Sequence, residues 1–394
     1  MSPFGRVAAV LLVLASLLCG GQVASAPGIV RTFKIVDLSG TPYQRGLQHG
    51  KLLHDSIHKA VAVWKENLQG TFHTDPDLFI KKFAMATNYV SSIEKWTPDL
   101  LQEVHGIAEG AGIDFQTMLV FQLPDEYWVN GSSVAGEHCS ALGISATRDH
   151  SAFVAQNMDL EGFRDGFQTI LHISEPSGLQ EFVLTFPGLI AFNGLNSKGV
   201  GITTNTLRQL AHSRDGLPVA FVVRGVLSKR SFDEAQSFLK SVRHASGQNY
   251  TLGGSGQVAY FEASANKVVE VDPPNTRSFI FHTNHPVANE DYSPEGMQEM
   301  TQPNPADNTR TRYQALRSHL AGDAGRNVID LIQETLRSHD SQQYPVCRPL
   351  RDNFAGFTYA STIMVLEEQP YLIAAPGPPD QHDYTVFRFA TKEK

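Results

Sequence analysis

Apolar positions along the chain change their texture near residue 139. Before it, they recur at helical spacing. Leu53, Ile57, Val61, Trp64 and Leu68 form one stripe over Lys51–Leu68. "DPDLFIKKFAMATNYVSSIEKW" opens with Asp75 as cap and Pro76 in the first turn. "TPDLLQEVHGIAEGAGI" repeats that grammar with Thr97 and Pro98 and ends in glycines. A fourth helix, capped by Asp114, is expected over "DFQTMLVFQLPDEYW", and a short strand near Phe33–Leu38 precedes them all.

From Cys139 onward the pattern is strand-like. "CSALGISAT", "SAFVAQNMDL", "FQTILHISEP", "QEFVLTFPG" and "GVGITTNTL" read as consecutive strands separated by turn residues. One helix is expected around Ser231–Val242, then a hairpin within "YTLGGSGQVAYFEASANKVVEVDP" and a strand in "SFIFHTNHP". Helices at about Asn308–Ala321 and Arg326–His339 lead to a last strand pair in "ASTIMVLEEQPYLIAAP". The proline-rich stretch "HPVANEDYSPEGMQEMTQPNPADN" reads as a lid or as plain surface. Strands without regular helical crossovers imply an α+β protein, with stacked antiparallel sheets and helices outside, and not a doubly wound parallel sheet.

Composition narrows the function. The net charge of −8 is dispersed, which argues against nucleic acid as the main partner. Residues 1–26 read as a signal peptide: Arg6, the apolar run Val7–Cys19, and the small residues Ala24, Ser25 and Ala26. Pro27 disfavours cleavage directly before it, so a nearby bond serves equally well. A lipid anchor on Cys19 is the alternative, opposed by the bulky Leu18 before it. The mature chain is therefore expected to be exported, to a secreted, periplasmic or secretory-lumen location, with no membrane span. Asn130 ("NGS") and Asn249 ("NYT") are glycosylation sequons, usable in a eukaryotic secretory pathway.

Beyond the signal, two cysteines remain, Cys139 and Cys347. Export makes a single disulfide between them one reading; a nucleophilic Cys139 is the other. Asp159, in "QNMD" one strand downstream, stands where a carboxylate could hold a thiol or an amine, or simply cap a turn. Asn205 and Asn284 end strands, where an amide N–H can donate to an oxyanion or serve turn chemistry. The histidine groups His49/His54/His58 and His282/His285 lack a metalloprotease pattern, so no metal is expected. "GGSGQ" at Gly253–Gln257 is neither a serine-hydrolase elbow nor a phosphate loop.

Taken in order, small residues and then "CSALGI", "QNMD", "GLNSKGVGITTNTL", "HTNHP" and "NTRTRYQAL" resemble the N-terminal-nucleophile (Ntn) hydrolases. The pattern is most similar to the acyl-coenzyme A:6-aminopenicillanic-acid acyltransferase family, with choloylglycine hydrolases and penicillin V acylases more distant. "GTPYQRGLQHGKLL" and "EVHGIAEGAGIDF" resemble that family's pro-segment.

The resemblance implies a four-layer αββα sandwich and self-cleavage at His138–Cys139. A helical segment, 27–138, would stay bound to a core, 139–394. Cys139 would be the nucleophile and its new α-amine the base, since such amines titrate at about 7.7–8.0. The resemblance makes Asp159 the residue that orients thiol and amine, Asn205 and Asn284 the two asparagines near the oxyanion and the new amine, and Arg312 an electrostatic support, with Ser361 and Gln156 as further support. Gln156 stands where the choloylglycine branch carries arginine, which favours the acyltransferase branch; His138 stands where the fungal enzyme carries glycine. The implied function is cofactor-independent hydrolysis of a linear N-acyl amide through a cysteine thioester. Acyl transfer to an amine is one alternative, and a non-catalytic binding protein of the same fold is another.

Overall fold

The computed structural model describes residues 31–130, 139–272, 279–301, 307–321, 327–351 and 356–390. The signal-peptide expectation and His138 lie outside these residues. Among the described residues, no helix is long and apolar enough to cross a membrane.

The N-terminal part is β1 (Lys34–Ser39) followed by seven helices: α1 (Pro42–Leu52), α2 (His54–Phe72), α3 (Pro76–Ala86), α4 (Tyr89–Trp96), α5 (Pro98–Ala111), α6 (Phe115–Phe121) and α7 (Pro124–Asn130). The stripe from Leu53 to Leu68 is buried throughout. Asp75 accepts from Leu78 N at 2.9 Å and Asp114 from Thr117 N at 2.9 Å, so both act as the expected caps. Thr97 does not: its hydroxyl turns back toward Ile93 O, and Pro98 alone marks the start of α5. The expected fourth helix divides at Pro124, which opens α7 and has no N–H to continue α6.

Helices α1 and α5 cross with their backbones in contact, and glycines permit it. A Cβ on Gly46 would lie 1.9 Å from Glu103 O, and one on Gly50 2.5 Å from Ile107 O. On the facing helix, a Cβ on Gly106 would lie 2.3 Å from Tyr43 O, and one on Gly110 2.5 Å from Leu47 O. The two glycine-containing motifs are thus two halves of one contact.

The remaining strands are β2 (Ser140–Ile144), β3 (Ala152–Glu161), β4 (Thr169–Ser174), β5 (Gln180–Thr185), β6 (Asn193–Asn196), β7 (Gly201–Thr206), β8 (Gln248–Gly253), β9 (Val258–Ala263), β10 (Val268–Val271), β11 (Phe279–His282), β12 (Gly356–Leu366), β13 (Tyr371–Ala375) and β14 (Thr385–Arg388). The helices among them are α8 (Val219–Leu227), α9 (Phe232–Ser241), α10 (Pro294–Met300), α11 (Asp307–Ala321) and α12 (Val328–Leu336). One sheet runs β1-β4-β5-β6-β7-β8-β9-β10, the other β11-β2-β3-β12-β13-β14. Among the strands described, the β1–β4 pairing departs from the expected antiparallel arrangement; it is parallel.

The sheets meet through β2 and β3 against β7, β8 and β9. Helices α8 and α9 cover one outer face, and α11 and α12 the other. The fold is thus an α+β sandwich of helices, two stacked sheets and helices. Alternation along β3 shows the layering: Ala152 and Val154 pack between the sheets, while Phe153 and Ala155 pack with Leu316, Leu320 and Leu331 under the helices.

Helix α1 was not expected, the stretch from Asp75 to Trp96 divides into α3 and α4, and three further elements escape the sequence pattern. Every residue of α8 is buried, so it shows no polar face to betray helical spacing. Helix α10 sits inside the stretch expected as lid or surface, capped by Ser293, which accepts from Gly296 N at 2.9 Å. Strand β14 pairs with β13 at the sheet edge.

Behind the α1–α5 contact lies a buried ion network. Glu103 meets Arg45 at 3.2 Å and Arg224 at 2.8 Å, and Arg224 meets Glu181 at 3.0 Å. Burial raises the Glu103 carboxyl, but Arg224 and Arg45 outweigh it and hold it below its ordinary range. These pairs tie α1 and α5 to α8 and β5.

Gly46→Ala tests the helix contact. Helix propensity alone favours alanine by about 1 kcal/mol. The clash with Glu103 O instead forces α1 off α5, with an expected loss of about 2–3 kcal/mol in urea melts. A variant as stable as the parent would contradict the close packing.

Candidate active site

Cys139 lies at the head of β2, opposite Met158 of β3, because Ser140 pairs with Asn157. Its side chain is buried, with Sγ 3.4 Å from Met158 Sδ and 3.9 Å from the backbone oxygen of Asp159. A cavity of about 20 Å³ adjoins it, lined by Cys139 and Met158 together with Asp125 and Pro124 of α7, Thr204 and Thr206 of β7, and apolar groups including Phe192 and Val219. That space suits about one water molecule.

Arg312 is the buried centre of the site. It projects from α11, where Asn308, one turn earlier, accepts from its Nε at 2.9 Å. Nη1 donates to Cys139 O at 2.7 Å and to Ser140 Oγ at 3.0 Å, and Nη2 donates to Asn284 Oδ1 at 3.0 Å. All four acceptors are neutral oxygens. Burial lowers the guanidinium to about 10, against the opposing pull of Asp159, and it stays charged at neutral pH. A buried cation beside Cys139 favours negative charge on the sulfur or on an oxygen bound nearby.

Asn284 follows β11 and is held from several sides. Its Nδ2 donates to Thr206 O at 3.2 Å, and its backbone N to Thr309 Oγ1 at 2.6 Å. Glu262 fixes the loop beyond it: its carboxylate accepts from the backbone N–H of Val287, Ala288 and Asn289 at 2.7, 2.9 and 2.6 Å, and from His282 Nε2 at 2.7 Å.

The carboxylate of Asp159 is approached from β12 and from the loop before it. Thr358 Oγ1 donates to Oδ1 at 2.8 Å, and Arg348 Nε stands 4.0 Å from Oδ2. A register shift in β12 falls beside this contact. Among the described residues Oδ2 has no hydrogen-bond partner. Burial raises the carboxyl to about 7, outweighing Arg348, Arg312 and the Thr358 bond.

Asn205 sits on β7 between the two threonines that line the cavity. Its Oδ1 accepts from Asn249 Nδ2 at 2.9 Å, while its own Nδ2 is buried with no partner among the described residues. Gln156 crosses between the sheets, donating to Thr204 O and accepting from Asn193 Nδ2 at 2.8 Å. Ser361 lies apart from Cys139 in its bonding; its hydroxyl meets Tyr384 OH at 2.8 Å.

Several expectations change. Cys139 and Cys347 share no disulfide; the Cys347 thiol donates to Asp380 Oδ1 at 3.0 Å instead. Asn249 is fully buried in β8, which bars it from carrying a glycan in the folded chain. The histidines go to separate partners: His49 accepts from Gly188 N at 3.0 Å, His58 meets Ala111 O at 2.8 Å, and His285 meets Thr309 Oγ1 at 3.0 Å. Met158, Thr358, Arg348 and Glu262 were not legible as site residues. Only Asn308 carried a signal, standing four residues before Arg312 on a helix face.

The family model described as acyl-coenzyme A:6-aminopenicillanic acid acyl-transferase matches residues 146–365, more than half of the chain. The chain belongs to this family, and it is an enzyme of the acyltransferase or amide-hydrolase kind. The match spans Asp159, Asn205, Asn284, Arg312 and Ser361 and begins just after Cys139. The acyl-coenzyme A:6-aminopenicillanic-acid-acyltransferase 40 kDa form of Emericella nidulans is 25% identical over 322 residues, covering 80% of this chain and 85% of that protein. Protein dcd1A of Dictyostelium discoideum is 27% identical over 235 residues, 51% of each chain. Among solved structures, a variant of conjugated bile acid hydrolase from Clostridium perfringens aligns with a TM-score of 0.40 at 13% identity, over 64% of this chain and 97% of that one. Penicillin V acylase from Agrobacterium tumefaciens aligns with a TM-score of 0.38 at 12% identity, over 60% and 82%.

A carboxyl raised to about 7 keeps its proton in the folded chain after an unfolded one has lost it near its ordinary value of about 4. Asp159 therefore costs stability progressively as pH rises through that window. In a Cys139→Ala background, Asp159→Asn is expected to gain stability relative to Asp159 between pH 4 and pH 8. The expected gain is on the order of 2–4 kcal/mol, because each tenfold change in proton affinity is worth about 1.4 kcal/mol. Parallel urea-melt curves with equal offsets at both pH values would contradict the assignment.

Proposed function

We propose that the chain matures by cutting itself at His138–Cys139 and then acts as an N-terminal-cysteine amidohydrolase on a linear N-acyl amide. The carrying observation is the placement of Cys139 at the head of β2, with its carbonyl, the Ser140 hydroxyl and the Asn284 amide gathered on the buried Arg312 cation.

In maturation, Cys139 Sγ bonds to the His138 carbonyl carbon as the bond from that carbon to the Cys139 nitrogen breaks. The thiol proton goes to the departing nitrogen, which becomes the free α-amine. Water then cleaves the thioester, leaving a carboxylate on His138 and a thiol on Cys139. In turnover the α-amine takes the thiol proton as sulfur attacks the substrate carbonyl, and gives it to the leaving amine. Asn205 Nδ2, buried and without a partner among the described residues, and Arg312 support the negative charge on the carbonyl oxygen. A positive charge on the new amine would draw the raised Asp159 carboxyl back toward its ionised form.

The cavity of about 20 Å³ is too small for an acyl chain, so substrate binding requires the groups that line it to move apart. Its lining of Met158, Ala191, Phe192, Val219 and Ala220 favours an apolar acyl group. The expected export signal favours water over coenzyme A chemistry, while an amine acceptor in place of water gives the acyl-transfer variant of the same thioester.

The test is acid-quenched intact-mass analysis after mixing the protein with a panel of N-acyl amides. The expected result is an acyl mass on the chain carrying Cys139, release of free amine, and loss of both in Cys139→Ala. Amine release that continues undiminished in Cys139→Ala would overturn the thioester route.

A further inference from the structure

Cys347 takes no part in the acyl-transfer site, yet it is fully buried and has two metal-ligating neighbours. Its Sγ donates to Asp380 Oδ1 at 3.0 Å, and Asp380 Oδ2 meets His339 Nε2 at 3.1 Å. The three ligand atoms lie within 4.8 Å of one another. They come from two connections: His339 and Cys347 from the one between α12 and β12, and Asp380 from the one between β13 and β14. His339 and Asp380 are exposed, so the cluster opens to solvent on one side and rests on the buried sulfur on the other.

We propose that His339, Cys347 and Asp380 form a binding site for a divalent transition metal of the zinc type. One sulfur, one imidazole nitrogen and one carboxylate oxygen are a donor set for such ions, with water as the fourth ligand. Zinc bonds to sulfur at about 2.3 Å and to nitrogen or oxygen at about 2.0–2.2 Å. A tetrahedral ion therefore needs donor atoms roughly 3.3–3.6 Å apart, which the cluster reaches by small side-chain rotations. Binding forms a metal–sulfur bond, and the thiol proton leaves to solvent. The imidazole binds through its neutral Nε2, and Asp380 exchanges its two hydrogen bonds for the ion.

The surroundings support a fixed site. Arg337 Nε donates to Pro379 O at 2.9 Å, holding the turn that carries Asp380. Asn157 Nδ2 donates to Val346 O at 3.0 Å and to Leu336 O at 2.8 Å, joining β3 to the two segments that flank His339 and Cys347. Without an ion, burial and then the bond to Asp380 push the Cys347 thiol well above its ordinary range, which makes it a poor nucleophile and a poor redox group. Arg348, the next residue, is the one that faces Asp159. A bound ion would thus clip the Asp380 loop to the segment that carries Arg348 toward Asp159.

The sequence hides this cluster. Asp380 stands 33 residues beyond Cys347, and the histidine pairs that attract notice lie elsewhere.

Cobalt is the probe, added to the reduced, chelator-treated full chain and read by absorbance. One ion per chain is expected, with a thiolate-to-cobalt charge-transfer band and competition by zinc. The band should persist in Cys139→Ala and vanish in Cys347→Ser. His339→Ala and Asp380→Asn should weaken binding at least about tenfold. Because His339 is exposed, His339→Ala decides the question even if Cys347→Ser fails to fold. No band in the parent, a band lost in Cys139→Ala but kept in Cys347→Ser, or binding unchanged in His339→Ala and Asp380→Asn would overturn the proposal.

Discussion

The buried Arg312 guanidinium is the constraint on which the candidate site depends. Removing a cation from water is costly unless its donors are satisfied. Here they are satisfied by oxygens from three elements: Asn308 of α11, Cys139 and Ser140 at the head of β2, and Asn284 beyond β11. Satisfying Arg312 therefore places the first residues of β2 and the Asn284 loop at fixed positions. The acceptors are neutral, so the positive field is left directed at Cys139. Asp159 lies close enough to feel Arg312 but spends its own hydrogen bond on Thr358. The site thus holds a cation and a raised carboxyl around a buried thiol, which is a disposition suited to separating charge during acyl transfer.

A second constraint keeps the N-terminal helices on that core. The α1–α5 crossing needs glycine on both helices, and the Glu103 carbonyl that would meet a Cβ on Gly46 belongs to the residue that pairs with Arg45 and Arg224. Backbone packing and ion pairing are therefore one device. Arg224 belongs to α8, and α8 also supplies Val219 and Ala220 to the cavity beside Cys139. The carboxylate of Glu126, on α7, accepts from Val219 N at 2.9 Å and Ser246 Oγ at 2.9 Å. These contacts couple the helical segment to the wall of the candidate site and would hold it in place after a break before Cys139.

Much of this was legible in the sequence, for physical reasons that differ by element. The stripe on α2, the caps Asp75 and Asp114, and the run of strands from β2 to β9 follow from periodicity and turn chemistry, which are local. Helix α8 was not legible, because burial on every side erases the polar positions that mark a period. Cys139, Arg312 and Asn284 carried recognisable surroundings, whereas Met158, Thr358 and Arg348 acquire their place only through the pairing of β2, β3 and β12. The Cys139–Cys347 disulfide failed because residue counting ignores distance: Cys139 lies beside Met158 at the head of β2, and Cys347 lies beside Asp380 in the loop between β13 and β14.

The most direct measurement is N-terminal sequencing of the bands that purified protein gives on a denaturing gel, beside Cys139→Ala. Two chains are expected from the parent, the larger beginning "CSALGI", and a single uncut chain from the variant. A parent that stays whole, or a variant cut at the same bond, would contradict it, because Cys139 would then have no self-generated α-amine to serve as its base.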